Sequence, residues 1–194
     1  MGPHLHNILD KSQFCQPGKE IGELVLYYQS LIDDSERNQA ATSLAFLDFE
    51  KAFDSVDHDF TFTMLQAVGL PKEFINWTKL AFTNTQACLI INDKRSPFFP
   101  LPGGGRQGDN LYPMIFAIVV QGLASLISEH PMIQGIVDEG GNHFKIGQFA
   151  DDTTLGAGCD DDWTHYKHVL DIFCDASGMR INWNTSTSSA VAGF

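Results

Sequence analysis

Two adjacent carboxylates, Asp151 and Asp152, lie between apolar residues, with Ile146 and Phe149 before them and Leu155 after. Like charges side by side repel, and in a partly buried strand that repulsion calls for a cation to offset it. Taken alone, an Asp-Asp pair is more often a solvated turn than a site. Asp48 changes the weighing, because it ends the most strand-like run of the chain, Leu44-Ala45-Phe46-Leu47-Asp48. Two carboxylates from a tight turn and one from the end of a neighbouring strand make an all-oxygen site. Mg²⁺ suits such a site because it takes few protein ligands and fills its shell with substrate phosphates and water. Two such ions would activate a hydroxyl nucleophile and stabilise the leaving oxygen of an in-line phosphoryl transfer.

A third element is the run Gly103-Gly104-Gly105-Arg106-Gln107-Gly108-Asp109 ahead of a long apolar segment. Glycines let backbone N–H groups approach a phosphate or base closely, and a following helix N-terminus favours anions. No Gly-Lys-Ser/Thr follows, so it is not a P-loop, and on its own a flexible loop is the plainer reading. His165 and His168 share helical spacing but have no carboxylate or thiol at ligand spacing.

Several elements must position these residues. Helical periodicity covers residues 18–34, 59–68, 72–82, 110–129 and 161–176, and residues 42–49 read as a central strand. Hairpins are expected over residues 86–101, turning at Asn92-Asp93-Lys94, and over residues 133–150, turning at Asp138-Glu139-Gly140-Gly141. Helices and strands mix without strict alternation, which predicts an α+β fold. At 194 residues with a hydrophobic fraction of 43%, the chain can bury a substantial core. Tyr112, Pro113, Gln121 and Ser125 interrupt the apolar stretch at 111–127, which reads as a buried amphipathic helix rather than a membrane span. No signal peptide is visible, so a soluble, intracellular protein, nuclear or cytoplasmic, is expected. The scattered Cys15, Cys88, Cys159 and Cys174 read as reduced, mostly buried thiols. A net charge of −12, from 12 basic and 24 acidic residues, argues against a free-standing nucleic-acid binder.

Three segments together carry a family resemblance. Leu47-Asp48-Phe49-Glu50-Lys51-Ala52-Phe53-Asp54-Ser55-Val56, Gly105-Arg106-Gln107-Gly108-Asp109 and Phe149-Ala150-Asp151-Asp152 resemble, in order and spacing, successive motifs of reverse transcriptases of the non-LTR (LINE-type) retrotransposon branch. The resemblance continues more weakly over residues 13–21 and 177–182. It implies a polymerase palm, an antiparallel sheet backed by helices, over residues 41–194, with a partial fingers or connecting segment over residues 1–40. It makes Asp48, Asp151 and Asp152 the catalytic metal ligands for two Mg²⁺ ions, with Mn²⁺ as an alternative. Phe53 matches the aromatic gate against a ribonucleotide 2′-OH, and Gln107 and Gly108 match nucleotide-contacting positions with Arg106 beside them. Lys51 and Asp54 are read as structural or sugar-phosphate contacts. The implied partners are an RNA template, a DNA primer, dNTPs and further segments of a retrotransposon polyprotein, with no membrane.

The chain departs from the family pattern at Asn110 and Tyr112, where Pro and Ser are usual, and Tyr112 adds bulk near the nucleotide loop. Thr185 stands where related sequences often carry a Lys able to protonate the pyrophosphate leaving group. The basic fingers strands, primer grip and thumb are expected to lie outside this sequence, which accounts for its acidity. The competing reading is a catalytically inactive palm remnant that serves at most as a binding or structural module.

Overall fold

The computed structural model describes residues 9, 11–14, 18–101, 103–105 and 108–192. Helix α1 (Ile21–Asn38) leads to β1 (Thr42–Leu47), the single-turn α2 (Ala52–Ser55), α3 (His58–Ala67) and α4 (Lys72–Phe82). Four two-residue strands follow: β2 (Gln86–Ala87), β3 (Ile90–Ile91), β4 (Lys94–Arg95) and β5 (Phe99–Pro100). Helix α5 (Tyr112–Ser128) precedes β6 (Ile136–Val137), β7 (His143–Phe144), β8 (Ile146–Phe149) and β9 (Asp152–Ala157), and the chain continues through α6 (Asp160–Ser177) to β10 (Thr187–Ala192). The main sheet is antiparallel throughout, in the order β10-β1-β9-β8. Sheet and helices together form the expected α+β fold.

Residue alternation in β1 explains how both sheet faces are covered. Leu44 packs with Leu31 of α1, Ile136 and Phe144, whereas Leu47 joins the larger cluster built on α5 and α6. Each such side chain contributes roughly 1.5–3 kcal/mol on burial. Helix α5 is not the one-sided helix expected from its sequence: residues 115–121 are all buried in succession. It lies between α3, α6 and β8, so no face is left for solvent over that stretch. Among the described residues, no helix is long and apolar enough to cross a membrane.

Both expected hairpins form, though with short ladders. Asn92 and Asp93 link β3 to β4 with φ of 49° and 61°, the positive values of a two-residue type I′ turn. Strand β10 carries no sequence signal. Its Thr-Ser-Ser run lacks apolar alternation, and it is a strand because β1 offers an unpaired edge. The opposite edge, β8, is lined by residues 12–14: Phe14 N–H donates to Gln148 O at 2.7 Å and Gln148 N–H donates to Ser12 O at 2.8 Å. Cys88, Cys159 and Cys174 are free but only half-buried, which corrects the mostly buried expectation, and Cys15 lies outside the described residues.

The far end of β9 is held by one buried carboxylate. Asp162, fully buried in the first turn of α6, accepts from the N–H groups of Gln134 (2.8 Å), Gly135 (3.0 Å) and Gly158 (2.9 Å). Those bonds tie α6 to the segment before β6 and to the exit of β9, and so fix the strand whose other end begins at Asp152. Asp162→Ala would leave three N–H groups without their acceptor. The expected cost is about 3 kcal/mol, a fall of roughly 6–12 °C in thermal midpoint for a chain of this size. Calorimetry or thermal circular dichroism checks it, and a fall under 2 °C would refute this anchoring role.

Candidate active site

The pairing of Phe149 with Asp152 leaves Ala150 and Asp151 as a two-residue turn between β8 and β9. Ala150 adopts φ 56°, a left-handed conformation that costs a residue with a Cβ about 1 kcal/mol. That tight reversal presents Asp151 at the tip and Asp152 at the first residue of β9. Pairing of Leu47 with Thr153 in the β1–β9 ladder makes Asp48 the next residue in register with Asp152. The three aspartates therefore meet at one end of the central strands. Their proximity is felt electrostatically: Asp152 holds its proton more tightly than an ordinary aspartate, first through desolvation, then through the charges of Asp151 and Asp48. Tyr28 of α1 faces the same region, and burial pushes its hydroxyl up to about 12, with the charge of Asp152 adding to the effect. Among the described residues, no three His, Cys, Asp or Glu side chains stand ready as a metal-ligating group.

Asp48 is bracketed by a turn that sequence reading missed. Its backbone N–H donates to Ser186 Oγ at 3.1 Å and its carbonyl accepts from Asn182 N–H at 2.8 Å. Its carboxylate Oδ2 accepts from the Thr185 hydroxyl and, at 3.5 Å, from Asn182 Nδ2. Thr185 is 137 positions along the chain from Asp48, and nothing in its local sequence marks the contact. Beside Asp48 opens a cleft of about 700 Å³, whose lining includes Lys51, Asp54, Arg180 and Asn182. Lys51 and Arg180 place positive charge at the edge of the acidic site.

The glycine loop is used differently from expectation. Gly104 N–H donates to Val56 O at 2.8 Å and Gly105 N–H to Phe53 O at 3.1 Å, so these two donors serve the fold and are not free for a phosphate. The loop fits there because Gly105 lacks a side chain, since a Cβ would lie 2.0 Å from the Tyr112 ring. The bulk of Tyr112 is thereby absorbed: the residue is buried and packs edge-on to Phe82 at 5.8 Å. Phe53 stacks on Phe116 with centroids 4.3 Å apart, which is the packing of a core residue. It also lines a second cavity, of about 380 Å³, with Asp54, Gly105, Gly108, Asp109, Tyr112 and Pro113. Asp54 thus borders both spaces. Gly108 is exposed, while Arg106 and Gln107 lie outside the described residues.

The family model for reverse transcriptase (RNA-dependent DNA polymerase) matches residues 3–189. The chain belongs to the reverse transcriptase family. An uncharacterized 149 kDa protein of transposon TX1 from Xenopus laevis is 26% identical over 175 residues, spanning 90% of this chain and 13% of that protein. The Pol polyprotein of the type-2 retrotransposable element R2DM of Drosophila melanogaster is 30% identical over 109 residues, 56% of this chain and 10% of that protein. This reverse transcriptase domain is thus similar to parts of proteins from transposons and retrotransposable elements. It spans only a small part of the length of these relatives. The structure of apo telomerase from Candida tropicalis, truncated from the C-terminal domain, superposes with a TM-score of 0.67 at 10% identity, covering 92% of this chain and 36% of that one. That likeness concerns the fold.

Two measurements check the geometry of this reverse transcriptase domain. Because Asp152 is more readily protonated in the folded chain than in the unfolded one, its ionisation subtracts stability as pH rises through the carboxylate range, and the loss stays constant above it. Asp152→Asn is therefore expected to be the more stable form at pH 7 in metal-free buffer. After screening at this exposed position the gain is about 0.5 kcal/mol, on the order of 1–2 °C. The gap should close by about pH 3, where both carry no charge. A gap independent of pH would show that the carboxylates do not interact. Second, Gly105→Ala should cost about 2–3 kcal/mol through overpacking, whereas in a Tyr112→Ser background, itself destabilised by the cavity the ring leaves, the same change should cost little further. Additive losses in the double variant would mean that the ring does not set the constraint.

Proposed function

We propose that Asp48, Asp151 and Asp152 form the catalytic centre of an RNA-directed DNA polymerase. In this reading the centre extends a DNA primer 3′-hydroxyl with dNTPs on an RNA template. One observation carries it: strand register and a tight turn bring three aspartates from two distant segments to one sheet end, where their charges act on one another. A structural role does not call for such mutual repulsion at the rim of a cleft.

The donor set is all carboxylate oxygen, which fits Mg²⁺, with Mn²⁺ as a substitute. The absence of a finished three-ligand cluster is compatible with ions that draw remaining ligands from substrate phosphates and water. Asp48, Asp151 and Asp152 would hold two such ions, which supply charge stabilisation and an activated hydroxyl for phosphoryl transfer. The protein's own residues then orient and select. Phe53, packed on Phe116 and bordering the smaller cavity, suits a steric gate against a 2′-hydroxyl. Gly108, in open space with φ 89°, leaves room for close approach of a nucleotide, with Arg106 and Gln107 beside it as further contacts. Lys51 and Arg180, lining the cleft beside Asp48, suit phosphate oxygens. Residues 41–194 serve as the palm and residues 1–40 as a connecting piece of the fingers, within a retrotransposon polyprotein.

A non-catalytic palm remnant is the second reading. It is favoured by the net charge of −12 and by the engagement of the Gly104 and Gly105 N–H groups within the fold. Primer extension on a primed RNA template separates the two. Within a longer parent protein, Mg²⁺-dependent extension is expected, and Asp151→Asn should slow it roughly 10³-fold, as loss of a transition-state charge stabiliser does. The 194-residue chain alone is expected to extend a primer little or not at all, since few basic groups offset its charge on a polyanion. Extension that survives Asp151→Asn would end the catalytic reading.

A further inference from the structure

The turn over residues 182–186 meets the backbone donor, the backbone acceptor and one carboxylate oxygen of Asp48. Its backbone donor is met by Ser186 Oγ and its backbone acceptor by Asn182 N–H. Among the described residues, the carboxylate is met on one oxygen: the Thr185 hydroxyl and Asn182 Nδ2 both donate to Oδ2. The turn is itself tightly made. Asn182 O accepts from the N–H groups of Thr185 (3.2 Å) and Ser186 (3.0 Å) and from Ser186 Oγ (2.9 Å), and lies 3.3 Å from Thr185 Oγ1, whose closer acceptor is Asp48 Oδ2; Asn182 Oδ1 accepts from Asn184 N–H at 3.2 Å. Asn182 thus holds the turn together, and Thr185 is the part of it that reaches the carboxylate with a hydroxyl.

We propose that Thr185 is a positioning residue for Asp48: its hydroxyl fixes Oδ2 so that Oδ1 stays free for a divalent cation shared with Asp151 and Asp152. The proposal rests on the reading of these aspartates as the metal site. A carboxylate at a strand end rotates freely about its Cβ–Cγ bond and must lose that freedom to ligate. A hydroxyl bonded to one oxygen removes part of the freedom in advance, as outer-shell partners of ligating carboxylates do. The same donor offsets part of the repulsion that Asp48 feels from Asp152.

The test is Mn²⁺ binding to the full 194-residue chain, followed by loss of the free-ion electron paramagnetic resonance signal, with Mg²⁺ as competitor. Thr185→Val keeps the shape and removes the donor, Thr185→Ser keeps the donor, and Asp151→Asn reports whether binding occurs at the site at all. Thermal midpoints without metal confirm that each variant folds. The expected pattern is saturable binding by the parent chain, loss of it in Asp151→Asn, affinity about 10-fold weaker in Thr185→Val, and parent-like affinity in Thr185→Ser. Unchanged or tighter binding by Thr185→Val, with Asp151→Asn still defective, overturns the positioning role and leaves the metal site standing. Equal weakening by Thr185→Ser also overturns it, because the loss would then not follow the hydroxyl. No saturable binding by the parent chain, or undiminished binding by Asp151→Asn, overturns the metal-site reading and the proposal together.

Discussion

The antiparallel register between β1 and β9 is the constraint on which the rest of the structure depends. Leu47 opposite Thr153 makes Asp48 and Asp152 neighbours, and it also sets Leu44 on the α1 face and Leu47 on the α5 face. A slip of one residue would reverse every side chain, sending Leu44 and Leu155 out of their clusters while separating the carboxylates. Hydrophobic burial therefore secures the register, and the register secures the site. Most of the binding energy of this fold lies far from the aspartates, which contribute repulsion.

The cost at the aspartate end of the sheet is localised and offset by rigid surroundings. Ala150 in a left-handed conformation and Asp152 with a destabilised charge are both unfavourable, and they lie at adjoining ends of a two-residue turn. Around them, residues 115–121 of α5 are buried in succession, Asp162 holds three backbone N–H groups, and the Tyr166 hydroxyl lies within hydrogen-bond reach of the carbonyls of Lys145 (2.8 Å) and Gly156 (2.7 Å). A reverse transcriptase palm needs this division of labour, because strained and mutually repelling groups persist only where neighbouring packing over-determines their place.

Tyr112 and Thr185 show how departures from a family pattern are absorbed. Tyr112 stands where the resemblance leads one to expect a small residue, and the absence of a Cβ at Gly105 accommodates its ring against the glycine loop. Thr185, where the resemblance leads one to expect a Lys, donates a hydrogen bond to Asp48. In both cases the neighbour that accommodates the change is remote in sequence or is a glycine, so the effect of the departure could not be judged from the residue itself.

The sequence by itself determined the helices and the central strand, since their periodicities follow from which faces must be buried, and it marked Asp48, Asp151 and Asp152 because acids in apolar runs stand out. It pointed to the reverse transcriptase family through the order of three short motifs. Only the tertiary structure decided that β10 forms, since its polar residues become a strand solely because β1 lends them a partner. It likewise decided that the middle of α5, residues 115–121, is buried all round, since periodicity cannot reveal what packs on the second face of a helix. The Gly104 and Gly105 donors face Val56 and Phe53, and Thr185 reaches Asp48 across 137 positions, both through long-range contacts. Local sequence encodes local preference, whereas the partners of a polar group are chosen by where the whole chain brings them.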